Sequence, residues 1–297
     1  MNRIFALLAA LAFAATAAAQ EGTLKKIKDS GAITIGHRDA SVPFSYYDDK
    51  QQPVGYAMDL CARIVEAVKT ELKMQKIETK YQLVTSANRI PLMANGTIDL
   101  ECGSTTNNLE RQKLVWFTIT HFVTANRWVA KRTAKLNKLA DLKGKTIVST
   151  AGTTNIKQIT ELNGEQKLGA NIISANGHAE AFQMVETGRA VAFVMDDILL
   201  YSLVAQSRSP KDYDISKEAL SVEPYGIMLR KDDAAFKKTV NGAINALYKS
   251  GAINAIYDKW FQKPVPPKGI NLNVPMSAQF KKVVANPTSS GDPKDYQ

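Results

Sequence analysis

The chain has 297 residues, 45% apolar and 22% charged, enough to bury the cores of about two ordinary domains. Its 17 glycines, 11 prolines and 2 cysteines exclude a collagen, a low-complexity polymer and a disulfide-built miniprotein. The 38 basic against 28 acidic residues give a formal charge of +10, which favours an anionic partner without naming one.

Met1-Asn2-Arg3 makes a positive start, an apolar run follows to Ala15, and Ala17-Ala18-Ala19 precedes Gln20. That is the three-part pattern of a secretory signal peptide over residues 1–19, so the mature chain is expected in the periplasm. No later window reaches the length of a membrane-spanning helix, about 20 apolar residues.

Residues 24–30 predict a short helix stopped by Gly31, and 32–37 alternate as a strand. Asp48-Asp49-Lys50 supplies turn chemistry between Ser45-Tyr46-Tyr47 and Val54-Gly55-Tyr56. Residues 58–72 form an amphipathic helix, and 79–84 read as strand, 86–95 as helix, 98–102 as strand, 107–114 as helix. A long strand-like run, 122–131, comes next. The pattern then restarts: strand 145–149, helix 154–162, strand 171–174, helix 178–187, strand 190–195 and helix 197–206. Short strands separated by helices indicate parallel sheets wound by right-handed crossovers, hence two α/β lobes. A strand at 225–230, helices at 232–250 and 252–261, and a short helix at 277–284 complete the order. The polar, proline-containing residues 286–297 are expected to be a disordered tail.

Cys61 falls on the helical stripe with Ile64, Val65, Val68 and Leu72, and Cys102 shares a strand face with Ile98 and Leu100. Both thiols should therefore point inward. In an exported chain they are a candidate disulfide, the alternative being two separate buried thiols.

Gly144-Lys145-Thr146 is a turn and not a phosphate loop, because the glycine needed five positions earlier is Leu139. Three histidines far apart in sequence have no metal-ligand spacing, and no cofactor motif is present. Three other segments place cations and hydroxyls where strands end, the position at which open α/β sheets bind ligands. They contain Arg38, then Ser86 and Arg89, then Ser104, Thr106 and Arg111. Free N–H groups, hydroxyls and arginines together suit carboxylates. One arginine alone reads as solvated, but three at successive strand ends would be costly to bury together without anions. In the second half, Thr154 starts a helix after Gly152, His178 opens another, and Asp196 ends a strand; each alone reads as a cap.

These residues lie in longer runs: Gly36-His37-Arg38, Asn88-Arg89-Ile90-Pro91-Leu92, Glu101-Cys102-Gly103-Ser104-Thr105-Thr106-Asn107-Asn108, Glu110-Arg111-Gln112-Lys113 and Met195-Asp196-Asp197. Through them the chain resembles the periplasmic amino-acid-binding proteins of ATP-driven importers, type II solute-binding proteins, over essentially its whole mature length. The resemblance implies an α/β, two-lobed periplasmic-binding-protein fold with two hinge crossings and a mixed, mainly parallel sheet in each lobe. Lobe 1 would comprise residues 20–126 and 225–285, lobe 2 residues 127–224, with crossings near 126–131 and 222–226.

It further implies a monomer that closes on L-glutamate or L-aspartate and docks on a membrane permease. Arg111, with Ser104 and Thr106, would take the α-carboxylate, and Asp196 the ammonium. Arg38, Ser86, Arg89 and His178 would hold the side-chain carboxylate, and Thr154 would donate from the second lobe. At Cys61 the chain departs from the family pattern, so the cysteine pairing rests on placement alone.

Counting Arg38, Arg89 and Arg111 against Asp196 leaves the cleft at about +2, which a dicarboxylic amino acid neutralises and a basic one does not. The runner-up is an enzyme on the same clamp, such as a cyclohexadienyl dehydratase, which needs a spare cleft carboxylate, and these segments offer no clear one besides Asp196. A nucleic-acid partner is disfavoured by scattered lysines and by export.

Overall fold

A computed structural model describes residues 22–297, so the expected signal peptide lies outside the described residues. The first strands and helices are α1 (Thr23–Ser30), β1 (Ala32–His37), β2 (Ala40–Ser41), β3 (Ser45–Tyr47), β4 (Pro53–Val54) and α2 (Tyr56–Glu71). They are followed by β5 (Glu78–Leu83), α3 (Arg89–Ala94), β6 (Leu100–Glu101) and β7 (Val115–Phe117). Next come β8 (Phe122–Lys131), β9 (Thr146–Thr150), α4 (Thr154–Glu165), β10 (Asn171–Ala175), α5 (His178–Glu186), β11 (Ala192–Asp196), α6 (Asp197–Gln206) and β12 (Tyr213–Ile215). The chain returns through β13 (Ser221–Tyr225) and β14 (Met228–Arg230) to α7 (Ala234–Lys249), α8 (Ala252–Phe261) and α9 (Ala278–Ala285).

One sheet has the order β5-β1-β6-β14-β7, with β5, β1 and β6 parallel and β14 antiparallel to both its neighbours. The other runs β10-β9-β11-β8-β12, with β10, β9 and β11 parallel and β8 antiparallel to β11, β12 and β13. In each sheet one strand opposes the common direction, β14 in the first and β8 in the second. This is the two-lobed periplasmic-binding-protein fold.

Two strands cross between the lobes and pair with each other, from Phe122↔Tyr225 to Asn126↔Ser221. The first crossing was expected at 126–131, but those residues pair with β11 inside the second sheet, Asn126 opposite Asp196 and Ala130 opposite Ala192. The chain therefore passes between lobes earlier, before Asn126. A continuous ten-residue strand gives no sequence signal for where it leaves one lobe. Around this crossing the aromatic rings of Phe44, Phe122, Tyr225 and Phe261 meet, with centroids 5.0 Å apart for Phe44–Phe122 and Phe122–Phe261 and 5.2 Å for Phe44–Tyr225.

Residues 107–114 are not the expected helix. Only Arg111–Lys113 make a 3₁₀ turn, because the hinge strand takes the backbone groups before it: Thr106 bridges Tyr225, and Asn107 N–H donates to the Pro224 carbonyl at 2.8 Å. The Cys61 and Cys102 sulfurs are bonded, with Cα atoms 6.3 Å apart, so they are not separate thiols. The bridge ties α2 to the end of β6, directly before this segment.

The tail also differs from expectation. Thr120 N–H donates to the Thr288 carbonyl, the Asn107 amide donates to the carbonyls of Ser289 and Ser290, and Tyr296 is 1% exposed with its hydroxyl donating to the Ser290 carbonyl. Its polar composition conceals one buried aromatic anchor and a row of backbone carbonyls that meet side-chain donors.

Replacing both cysteines by serine should lower unfolding stability by about 4 kcal/mol on the chain-entropy scale, read from urea denaturation, and reducing agent should then have no further effect. Deleting residues 289–297 should lower it by roughly 2–3 kcal/mol, mainly through Tyr296; thermal melting of Tyr296→Ala should reproduce most of that loss.

Candidate functional site

Register brings the three cationic segments together. Gly36 of β1 lies opposite Gln82 of β5 and opposite Glu101 of β6, and all three strands are parallel, so the residues after them emerge at one edge. The Val84 and Cys102 N–H groups donate to the His37 and Gly36 carbonyls, extending the register past the strand ends. Arg38, then Ser86 and Arg89, then Ser104, Thr106 and Arg111 thus follow neighbouring strands. In the second lobe the parallel strands β9 and β11 end at Thr150 and Asp196, and β10 leads into His178 at the start of α5.

The lobes meet across this edge. Arg111 Nη2 donates to the Gly152 carbonyl at 3.3 Å, and Thr154 Oγ1 lies 3.5 Å from Thr106 Oγ1. Gly152, with φ +74°, packs so closely that a Cβ there would sit 2.5 Å from the Ala87 Cα. At the rim Lys157 pairs with Glu110. Arg38, Ser86, Arg89, Ser104, Thr106, Arg111, His178 and Asp196 are all buried, and Thr154 is half-buried.

Several of these side chains are not saturated. Arg38 Nε and Nη1, Ser86 Oγ, Arg89 Nε and Ser104 Oγ are buried with no hydrogen-bond partner among the described residues. Such groups are ordinarily paired, because an unpaired buried donor costs about 1–3 kcal/mol. Their concentration on neighbouring strand ends marks a place built for an acceptor-rich guest.

Electrostatics agree. Burial, and then the Arg89 charge, push both Arg38 and Arg111 down to about 10. His178 is held well below its ordinary value by burial and then by Arg38 and Arg89, so it is a neutral imidazole; its Nδ1 lies 2.9 Å from Thr150 Oγ1. Asp196 is raised to about 7 by burial, with Glu223 adding to the shift. Opposing this, Asn155 Nδ2 donates to its Oδ1 at 2.8 Å and the Tyr225 hydroxyl donates to Oδ2.

The surplus of about two positive charges read from the sequence is corrected by the structure. Glu101, fully buried, lies 3.9 Å from Arg89, and Glu223, also buried, accepts from Thr154 Oγ1 at 3.1 Å. Arg38, Arg89 and Arg111 therefore face Glu101, Asp196 and Glu223. Strand alternation carried a signal for Glu101, which falls between the inward-facing Leu100 and Cys102 and so belongs to the opposite face. Glu223, Asn155 and Tyr225 had no comparable signal, because their roles depend on which strands cross between lobes.

The model of the bacterial extracellular solute-binding proteins, family 3, matches residues 33–263. An L-glutamate/L-aspartate-binding protein of Pseudomonas aeruginosa is 54% identical over 90% of this chain and 89% of its own. A glutamate/aspartate import solute-binding protein of Escherichia coli is 47% identical over 95% of this chain and 94% of its own. Among solved structures, a P235GK mutant of ArgBP from T. maritima superposes with a TM-score of 0.71 at 28% identity, covering 80% of this chain and 99% of that one. Two lobes, two paired crossings and a donor-rich cleft thus accompany a match across most of the sequence, and the chain belongs to the family-3 bacterial extracellular solute-binding proteins.

Proposed function

We propose that this protein works in the periplasm as a monomer that captures L-glutamate or L-aspartate between its lobes and delivers it to the membrane permease of an ATP-driven importer. The observation that carries this reading is the cluster of buried, unpartnered donors on Arg38, Ser86, Arg89 and Ser104, which an acidic side chain and an α-carboxylate would satisfy. The relatives named above are binding and import proteins, and none of them supports the dehydratase alternative.

Arg111, with Ser104 and Thr106, takes the α-carboxylate, and Asp196 the ammonium. Arg38, Ser86, Arg89 and His178 take the side-chain carboxylate, while Thr154 adds a donor from the second lobe. The ligand docks first on the lobe that carries the arginines, and closure then adds Thr154, His178 and Asp196. No bond is made or broken. Closure is a hinge equilibrium that the ligand shifts, because only in the closed form do both lobes bind it. The exposed Lys157–Glu110 pair adds little to closure by itself.

Isothermal calorimetry tests the reading directly. Glutamate and aspartate should bind roughly a hundredfold more tightly than glutamine, whose amide turns N–H groups toward arginine donors, and L-arginine should not bind. Equal affinity for glutamine and glutamate would refute the assignment. Arg111→Ala should abolish binding of every amino acid, whereas Arg89→Ala should mainly erode the preference for the acidic side chain.

The raised Asp196 fixes the sign of the pH response. Below about 7 the ligand-free carboxyl carries a proton, which the ligand ammonium must displace. Affinity should therefore fall as pH drops below about 7, with proton release on binding, visible by calorimetry in buffers of different ionisation enthalpy. The ligand-free protein should respond in the opposite sense: a carboxyl raised from 3.8 stabilises the fold at low pH and loses that contribution as pH rises toward 7. Denaturant midpoints measured across this range check the second half.

A further inference from the structure

Arg89 is held through a relay. Its Nη1 donates to Thr105 Oγ1 at 2.5 Å, and Thr105 Oγ1 donates to Glu101 Oε2 at 2.5 Å. Glu101 Oε1 lies 3.9 Å from the same Nη1 and has no hydrogen-bond partner among the described residues. Glu101 and Thr105 are fully buried. The relay commits one end of the guanidinium and leaves Nε without a partner.

Two backbone features keep the relay in place. Gly226 N–H donates to the Thr105 carbonyl at 3.1 Å, which fixes Thr105 to the returning hinge segment. At Gly103 a Cβ would lie 2.3 Å from Glu101 Oε1 and 3.1 Å from Arg38 Cγ, so glycine keeps the carboxylate's place beside both arginines open. Neither Glu101 nor Thr105 has a role in the ligand set given above.

We propose that Glu101, acting through Thr105, is a positioning residue that orients the Arg89 guanidinium, and that the preference for an acidic over an amide side chain depends on this relay. The inference rests on the ligand reading of the preceding section. An arginine without a fixed partner spreads over many rotamers, whereas one held at Nη1 presents its remaining donors in one direction.

Charge and orientation act with opposite signs here. Glu101 is an anion beside a place meant for a carboxylate, so by Coulomb's law alone its neutralisation would tighten glutamate binding. If Glu101 works by orienting Arg89, neutralisation loosens it.

The test is calorimetry of wild type, Glu101→Gln, Thr105→Val and Thr105→Ser with L-glutamate and L-glutamine, with a melting curve for each. The expected result is that Glu101→Gln and Thr105→Val weaken glutamate by about three- to tenfold, the scale of one ordinary net hydrogen bond. Glutamine should change less than about twofold, and Thr105→Ser, which keeps the hydroxyl, should recover glutamate affinity. Tighter glutamate binding in Glu101→Gln would overturn the proposal, as would equal weakening of both ligands or a serine variant that behaves like valine. Should Glu101→Gln not fold, the valine and serine pair decides the matter, since neither changes charge. Wild type that binds no acidic amino acid overturns the ligand reading itself, whereas wild type that binds glutamate with variants that do not discriminate overturns the relay alone.

Discussion

Burying three guanidinium groups in one closed space is the constraint around which this molecule is organised. Each carries a full charge out of water, and an uncompensated one is expensive by several kcal/mol. Arg89 pushes down the proton affinity of both Arg38 and Arg111, which shows that the three share one electrostatic environment. The fold answers with three buried carboxylates placed unevenly. Glu101 sits with Arg89, while Glu223 and Asp196 act on Arg111 from the hinge and the second lobe. Formal charge is nearly balanced, yet hydrogen-bond capacity is not: donors on Arg38, Ser86, Arg89 and Ser104 remain unmatched. Under the proposed reading, selectivity would come from the geometry of unfilled donors more than from a surplus of charge.

Such donors discriminate only if they are held still, and segment 103–111 is fastened from several directions. The disulfide anchors its start to α2, the hinge strand pairs with Thr106 and takes the Asn107 N–H, and the C-terminal tail accepts from the Asn107 and Gln112 side chains. Fixing a loop before binding removes ordering entropy that the ligand would otherwise have to overcome. The same fastenings tie the loop to the strands on which the lobes turn. Under the proposed reading, ligand contact and lobe movement would be mechanically connected through Thr105, Thr106 and Asn107.

Much of this was legible from residue order. Period-two alternation located β1, a long strand-like run located β8, period 3.6 located α2 and α7, and the parallel arrangement that follows from βαβ order made Arg38, Arg89 and Arg111 neighbours. The inward placement of Cys61 and Cys102 followed from the same two periods. What stayed hidden depended on backbone partners far away in sequence. Residues 107–114 read as a helix, but the Asn107 N–H goes to Pro224 of β13, more than 100 residues distant, and the Arg111 N–H to the Asn108 side chain, so the helix does not start where the sequence suggests. Residues 286–297 lack an apolar stripe because Tyr296 alone enters the interior while the rest is held by carbonyl acceptors that every residue possesses. The first hinge was displaced for a related reason: β8 is uninterrupted, and only its pairing changes from β13 to β11 and β12 along its length.

The carboxylates also bear on why a clamp of this kind binds without reacting. A general acid or base must reach the atom whose proton it moves, with a lone pair or proton left to use. Both Asp196 oxygens accept from Asn155 and Tyr225, both Glu223 oxygens accept from Ser221 and Thr154, and Glu101 is tied to Thr105 beside Arg89. Each orients a donor or faces a guanidinium, and of their oxygens Glu101 Oε1 alone is left without a hydrogen-bond partner among the described residues. Burial raises Asp196 to about 7, and a ligand ammonium beside it would lower that value and keep the carboxylate ionised. Under the proposed reading such a charge pair would hold the ligand and favour closure, which commits the carboxylate nearest the captured amino group to binding it.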